Sequence, residues 1–529
     1  MMSDIAREAA RRRTFAIISH PDAGKSTLTE ALALHTRSIS EAGVTHGKAG
    51  RKATVSDWMD MEKARGISIS STALQLEHRD HMINVVDTPG HADFSEDTYR
   101  VLSAVDVAVM VLDAAKGLEP QTLKLFDVCR RSNIPVITVV NKWDRPGLEP
   151  LELMDHLQQR LNIIPTPLTW PVGPAGQFQA VIDRRHDVTI AFERTAGGAT
   201  RAGERELSDD EARAELGEPW ETAIEECELL DADSLHHAPD TFLAGLTTPV
   251  LFAAGLLNFG ITQLLDVLIE VAPPASARLD TEGNPRPVDA PFSAYVFKLQ
   301  AGMDTAHRDR VAFARVCSGM FERGSVVEHA ATKRPFATKY AQSMFGRDRE
   351  TAEVAYPGDI IGLVNASDLR IGDTLRAPGE KVAFPPAEKF APEHFATVRS
   401  TDTSRFKQFR RGIEQLDLEG VVQVLRSDAR GEQSPVLAAV GPMQFEVVVD
   451  RLLREFRATT SLEMLPYSVA RRVVSDDPSP LAGVSGVELF TRSDGATLAL
   501  FPDKWRVRAI ERNHPDVILE PLAADTSAW

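Results

Sequence analysis

The sequence predicts a multidomain α/β protein: a parallel-sheet domain interrupted by an inserted subdomain, then a β-barrel, then an α+β domain. Three observations carry this expectation. Residues 14 to about 145 alternate apolar strand-like runs with helix-like segments, the pattern of a parallel sheet with helical crossovers. Short strands broken by glycine turns follow a proline-containing linker, as in small barrels. After Pro385-Pro386, strand and helix signals alternate again.

In the first region the expected strands are residues 14–18, 83–86, 107–112 and 136–140. From Pro165 to about Leu246 the pattern changes, with short strands at 181–183 and 188–192 and then an acidic stretch of helical spacing. The α/β pattern resumes at Pro249-Val250-Leu251-Phe252, followed by a helix over 261–271. These signals place a first domain at 1–275, with a subdomain inserted at about 165–246, before the last strand. Pro273-Pro274 opens a linker. A barrel is expected over 288–384, with strands at 294–299 and 310–316 and turns at Gly358-Asp359 and Gly372-Asp373. The remainder, 385–529, has strands at 421–425 and 436–440 and an amphipathic helix over 443–456. That alternation predicts an α+β, ferredoxin-like domain.

Composition excludes several classes. Cys129, Cys227 and Cys317 lie far apart and form no CxxC pair, so neither a disulfide framework nor a cysteine-based zinc site is expected, and a reducing cytoplasm fits. The apolar run at residues 15–18 is too short for a signal-peptide core. Longer apolar regions are interrupted by acids or turn residues, so no membrane span is expected. Residues 204–233 hold thirteen acids and two arginines, and so carry eleven of the chain's net charge of −17. Basic clusters elsewhere, such as Arg405/Lys407/Arg410/Arg411 and Lys504/Arg506/Arg508, remain able to meet phosphate locally.

Three motifs follow strand-like runs in order. Ser19-His20-Pro21-Asp22-Ala23-Gly24-Lys25-Ser26, continued by Thr27, follows the first run. Small residues there free backbone N–H groups to wrap a phosphate at a helix N-terminus. Lys25 would charge-pair with the β- and γ-phosphates, and Ser26 would ligate Mg²⁺. Ser19 stands where such loops usually have glycine. Asp87 ends the second run, placing a carboxylate near the metal. Thr88, Pro89 and Gly90 form a turn able to swing with the γ-phosphate, and His91 follows where a side chain can orient the attacking water. Residues 65–69 are the expected first switch, with Ser68 completing the Mg²⁺ shell. In the third motif, Asn141-Lys142-Trp143-Asp144, the Asp144 carboxylate can accept from two guanine donors that adenine does not present together, and a site built that way discriminates strongly. The ligand expected is GTP or GDP with Mg²⁺, and the activity GTP hydrolysis. A guanine loop at Ala254-Gly255-Leu256 completes the set; the hydroxyl usual at its first position is missing, and the Gly255 N–H is expected to reach the base oxygen.

These residues resemble the ribosome-associated translational GTPases, in which a histidine follows Asp-Thr-Pro-Gly and Arg-Gly-Ile lies in the first switch. Within that group the chain is similar to the bacterial class II (release factor 3) family. Longer matches are Ser56-Asp57-Trp58-Met59, Asp93-Phe94-Ser95-Glu96-Asp97-Thr98-Tyr99-Arg100, His307-Arg308-Asp309-Arg310-Val311-Ala312-Phe313 and Ala355-Tyr356-Pro357-Gly358-Asp359-Ile360. The resemblance implies a P-loop GTPase domain with insert, a translation-factor barrel and an α+β C-terminal domain. It implies a monomeric cytoplasmic factor whose partners are the 70S ribosome (rRNA and proteins) and class I release factors, which it would help to dissociate after peptide release. It also implies that rRNA positions His91 and that Asp22 helps hold a monovalent cation. An elongation or ribosome-protection factor would need further C-terminal domains. A non-ribosomal regulatory GTPase subunit would carry two barrels.

Overall fold

The computed structural model describes residues 2–36, 71–193, 200–301, 310–338, 341–345, 348–364, 368–386, 389–427, 430–431, 434–475 and 477–522. The expected first switch with Ser68, the 56–59 motif and residues 307–309 lie outside the described residues.

Seven strands build the first domain's sheet, in the order Thr72–His78, His81–Asp87, Arg12–Ser19, Val107–Asp113, Val136–Asn141, Thr247–Phe252 and Ile164–Pro167. All neighbours run parallel except the first pair, which is an antiparallel hairpin. Every residue of Arg12–Ser19, Val107–Asp113 and Val136–Asn141 is buried. Helices cover both faces, so these strands read as continuous apolar runs rather than alternating ones. Two apolar clusters result, one on each face of the sheet.

The sheet departs from expectation at one edge. Residues 164–167, assigned by the sequence to the insert, pair in parallel with Thr247–Phe252. The two prolines in this stretch, Pro165 and Pro167, suit an edge strand, which needs fewer donors. A separate four-stranded antiparallel sheet comes next in the chain, formed by Thr169–Val172, Ala180–Asp183, Val188–Glu193 and Gly203–Leu207. The acidic stretch folds as helices Asp209–Leu216 and Glu218–Ala232. The first opens with a reciprocal Ser208/Glu211 capping box. The second buries Trp220, Ala223, Cys227 and Leu230 against that sheet and turns most of its acids outward, while the half-buried Glu226 accepts from Trp170 Nε1 at 2.7 Å.

The barrel strands, including Ser293–Ala301, Arg310–Ser318 and Ile360–Val364, enclose their own core. The barrel seats on the first domain through the turn at Gly358-Asp359. Arg12 Nε donates to Asp359 Oδ2 at 2.7 Å, and its guanidinium lies 4.6 Å from the Tyr356 ring centroid. Thr14 Oγ1 and Asn84 Nδ2 both donate to the Gly358 carbonyl, at 2.7 and 3.1 Å. Gly358 has φ +101°, and a Cβ there would lie 3.1 Å from Arg12 Cβ, so only glycine lets the two domains approach this closely. Nearby, Arg315 grips Asp106 through both carboxylate oxygens at 2.7 Å.

In the C-terminal region the elements His394–Ser400, Phe406–Leu418, Gln423–Arg426, Val436–Ala439, Met443–Phe456 and Thr460–Met464 run β-α-β-β-α-β. Their strand order, fourth-first-third-second, is the ferredoxin-like arrangement. The sheet then continues from Gln423–Arg426 into Glu488–Arg492, Thr497–Phe501, Val469–Val473 and Leu519–Pro521, a second half with its own apolar cluster.

The Arg12–Asp359 pair is buried on both sides; Arg12 keeps Glu8 at 2.7 Å, so removing the Asp359 carboxylate costs one of its two ion pairs and the bonds from Gln75, Asn84 and the Tyr356 N–H. Asp359→Ala is expected to lower unfolding free energy by roughly 1–3 kcal/mol, read from denaturant titration. A loss below about 1 kcal/mol, the range of surface pairs, would show that this seat does not hold the barrel.

Candidate active site

The motif residues converge where the parallel strands end, the usual ligand position in open α/β sheets. Gly24, at φ +90°, precedes helix Lys25–His35. Asp22 also takes a left-handed conformation, φ 65°. These two turns set the loop's curvature, so that backbone N–H groups line a concave surface at a helix N-terminus, where phosphate binds. Ser19 and His20 are part of that loop, but their side chains face inward. Ser19 Oγ donates to the His20 carbonyl at 2.9 Å. The His20 ring is buried, with Nε2 3.3 Å from Glu119 Oε2, and burial pushes its pKa down against the pull of that carboxylate. Both residues therefore offer a ligand only their backbone. Ala23 is buried as well, whereas Pro21, Ser26 and Thr27 are half-buried and Asp22 is exposed.

Lys25 is buried. Its Nζ donates to the Thr88 carbonyl and lies 3.8 Å from Asp87 Oδ1. Thr88 Oγ1 in turn donates to the Ile17 carbonyl at 2.6 Å, fixing the second motif to the strand beneath the first. Gly90 sits over the loop: a Cβ there would be 3.5 Å from Lys25 Nζ and 3.6 Å from Pro21 Cα. The structure thus brings Lys25, Asp87, Thr88, Pro89 and Gly90 together around one cradle.

Asn141 joins the first and last motifs. Its Nδ2 donates to the Ala23 carbonyl at 2.9 Å, and its Oδ1 accepts from the Gly255 N–H at 3.0 Å. The Gly255 N–H expected to reach a base oxygen is therefore directed to Asn141 instead. Ala254 is buried in a tight turn closed by its backbone bonds with Phe259, and Leu256 is exposed. Lys142 crosses back to the first loop, with Nζ donating to the Asp22 carbonyl and to Asp113 Oδ2, the latter at 2.8 Å. Burial works against ionisation of Asp113, but the Lys142 ammonium and the Ala115 N–H outweigh it and hold the carboxyl below its ordinary value. Asp113 was not singled out from the sequence, although its place at the end of strand Val107–Asp113 was a usable signal. Trp143 is fully buried and packs edge-on against Phe252, with ring centroids 4.8 Å apart. It anchors the loop, so that the neighbouring Asp144 stays half-buried at the rim.

His91 is half-exposed. Its Nδ1 accepts from the Asp93 N–H at 3.2 Å and lies 3.3 Å from Asp93 Oδ1. A backbone donor on Nδ1 places the proton of a neutral ring on Nε2.

Comparison with known proteins finds three family models along the chain. Family models match residues 10–274 (Elongation factor Tu GTP binding domain), 291–377 (Elongation factor G domain 2) and 384–511 (Class II release factor RF3, C-terminal domain). Proteins named peptide chain release factor 3 are similar over almost their whole length. That of Synechococcus elongatus is 44% identical, over 99% of this chain and 96% of its own. That of Gloeobacter violaceus is 43% identical, over 98% and 99%. The chain belongs to the peptide chain release factor 3 family. It is a GTPase, and its ligand is a guanine nucleotide. A crystal structure from Thermus thermophilus shares the fold, with a TM-score of 0.69 over 94% of this chain and 74% of that one, at 21% identity. No helix among the described residues is long and apolar enough to cross a membrane.

Gly24 gives the sharpest test of the cradle. A Cβ there would sit 2.5 Å from Asn141 Nδ2, at a φ that L residues rarely adopt. Gly24→Ala is expected to weaken mant-GDP binding by about tenfold or more, and unchanged affinity would mean that the loop does not shape the site.

Proposed function

We propose that this protein acts on the 70S ribosome as a translation-termination GTPase that promotes dissociation and recycling of class I release factors after peptide release. The observation that carries this reading is the pairing of a guanine-nucleotide site with a C-terminal region matched by the class II release factor model. The whole-chain likeness to proteins named peptide chain release factor 3 supports it. We assign domains at 1–275, 288–384 and 385–529, with the insert starting after strand Ile164–Pro167. Cys129, Cys227 and Cys317 are buried and form no disulfide, which fits a reducing cytoplasm; the protein acts there as a monomer.

GTP would be held by backbone N–H groups of residues 19–27, by Lys25 on the β- and γ-phosphates, and by Asp144 on the base. Mg²⁺ would be held by the hydroxyls of Ser26 and Ser68 and, through water, by Asp87. Hard oxygen donors of this kind, completed by phosphate oxygens, suit that ion, which neutralises phosphate charge when bound. His91 is assigned the catalytic role. With Nδ1 occupied by the Asp93 N–H, its Nε2–H donates to the attacking water and orients it without removing a proton. No residue in the sequence declares itself an arginine finger, so the ribosome supplies the activation.

Two substitutions test the assignment. His91→Ala should retain GTP binding but lose ribosome-stimulated turnover by roughly 10²-fold or more; undiminished turnover in a single-round hydrolysis assay would remove His91 from the reaction. Asp144→Asn should shift preference from guanosine to xanthosine nucleotides, because the amide then meets a carbonyl at the base 2-position. Competition binding that still favours GDP would overturn the base-reading role. At the level of the partner, class I factor release from post-termination ribosomes should accelerate with this protein and GTP, and an unchanged release rate would sink the termination role.

A further inference from the structure

Helix Met443–Phe456 of the C-terminal region begins without a cap of its own. Its N-cap residue is Pro442, which makes no side-chain capping bond. Gln444 Oε1 accepts the N–H groups of Val440 and Gly441, at 2.7 and 3.2 Å, and leaves Met443 unserved by its own segment. The missing cap comes from another domain. Asp93 Oδ2 accepts the Met443 N–H at 2.7 Å, a charge-assisted bond at a helix N-terminus, where carboxylates are favoured. The fit depends on Gly441, since a Cβ there would lie 2.1 Å from Asp93 Cγ. Flanking contacts seal the joint: Phe94 packs with Val447, and Arg100 Nη1 donates to the Gly420 carbonyl at 3.1 Å.

Asp93 is also the residue that holds His91, by its N–H on Nδ1, and its Oδ1 lies 3.3 Å from that ring nitrogen. One side chain therefore faces both the catalytic histidine and the C-terminal helix. We propose that Asp93 is a positioning residue that latches the His91 loop to the C-terminal region, so that undocking of that region frees His91 for hydrolysis. This rests on the catalytic role given to His91 above. A loop that must move with the γ-phosphate is tied to a helix in another domain. The coupling is thermodynamically reciprocal: displacing the C-terminal region biases the loop, and GTP on the loop biases docking.

Three variants in the full chain separate the possibilities. Gly441→Ala pushes the carboxylate out of the cap with no substitution in the His91 loop itself. Asp93→Ala removes the cap but keeps the backbone N–H on His91, and it carries the test if Gly441→Ala folds poorly. Asp93→Asn preserves an acceptor that caps helices about as well as Asp. Ribosome-free GTP turnover is measured for each. Gly441→Ala and Asp93→Ala are expected to raise kcat roughly 5–150-fold, the usual span of such couplings, with KM for GTP unchanged. Asp93→Asn should stay near the parent rate, and adding His91→Ala to Gly441→Ala should abolish the gain. Parent-like kcat in both opened variants, or a gain that survives loss of His91, overturns the latch. His91→Ala that leaves ribosome-stimulated turnover intact overturns instead the reading beneath it.

Discussion

The nucleotide site depends on one side-chain amide. Asn141 stands at the end of its strand and spends its donor on the first loop and its acceptor on the last. A buried amide with both ends satisfied locks the loops in register. Losing one partner would leave a desolvated polar group, at a cost of about 1–3 kcal/mol. Lys142 and Trp143, the next two residues, extend the arrangement in opposite directions, Lys142 toward the Asp22 carbonyl and Trp143 into the core against Phe252. Three loops far apart in sequence thus become one surface, because parallel strands deliver them to the same edge.

The longer motifs that mark the family do a second kind of work. Residues 355–360 do not approach the nucleotide; they form the seat on which the barrel meets the strand Arg12–Ser19. Residues 93–100 run from the histidine loop into the contact with the C-terminal region. A third seam joins the barrel to Ser71, at the start of the strand hairpin of the first domain. Lys298 Nζ donates to the Ser71 carbonyl and, at 2.9 Å, to its hydroxyl, while the Ser71 N–H donates to Asp97 Oδ2 at 2.8 Å. Ser71 and the segment after His91 are therefore both in contact with other domains. In a molecule built this way, a change in either segment alters the packing of a whole domain, so a small local displacement becomes a larger rigid-body one.

Much of the architecture was legible in the chain. The helix expected over 443–456 is Met443–Phe456, because its apolar positions repeat at helical spacing. The strands at 107–112 and 136–140 lengthen by one residue each. Other elements were not legible. Thr72–His78 alternates polar and apolar residues and pairs antiparallel at the sheet's far side, outside the parallel pattern that organised the reading. Phe406–Leu418 carries Gly412 mid-helix. The reason is visible only in space: a Cβ there would lie 2.5 Å from Leu452 of the neighbouring helix, so glycine permits the close approach of the two.

The sequence alone named the residues to which the site's chemistry is assigned. A cradle loop, a strand-end carboxylate and a base-facing loop depend on residue type and on short-range backbone shape, which a contiguous motif encodes. It also determined the order of the domains, since each announces its own period of apolar residues. The tertiary structure decided which partners those residues meet. That Gly255 gives its N–H to Asn141, that His20 turns inward toward Glu119, and that Asp93 caps a helix some 350 positions away are all contacts across long stretches of chain. Local propensity carries no record of such pairs; they are fixed only when distant parts of the chain, within the first domain or between domains, pack against one another and bring buried polar groups to partners.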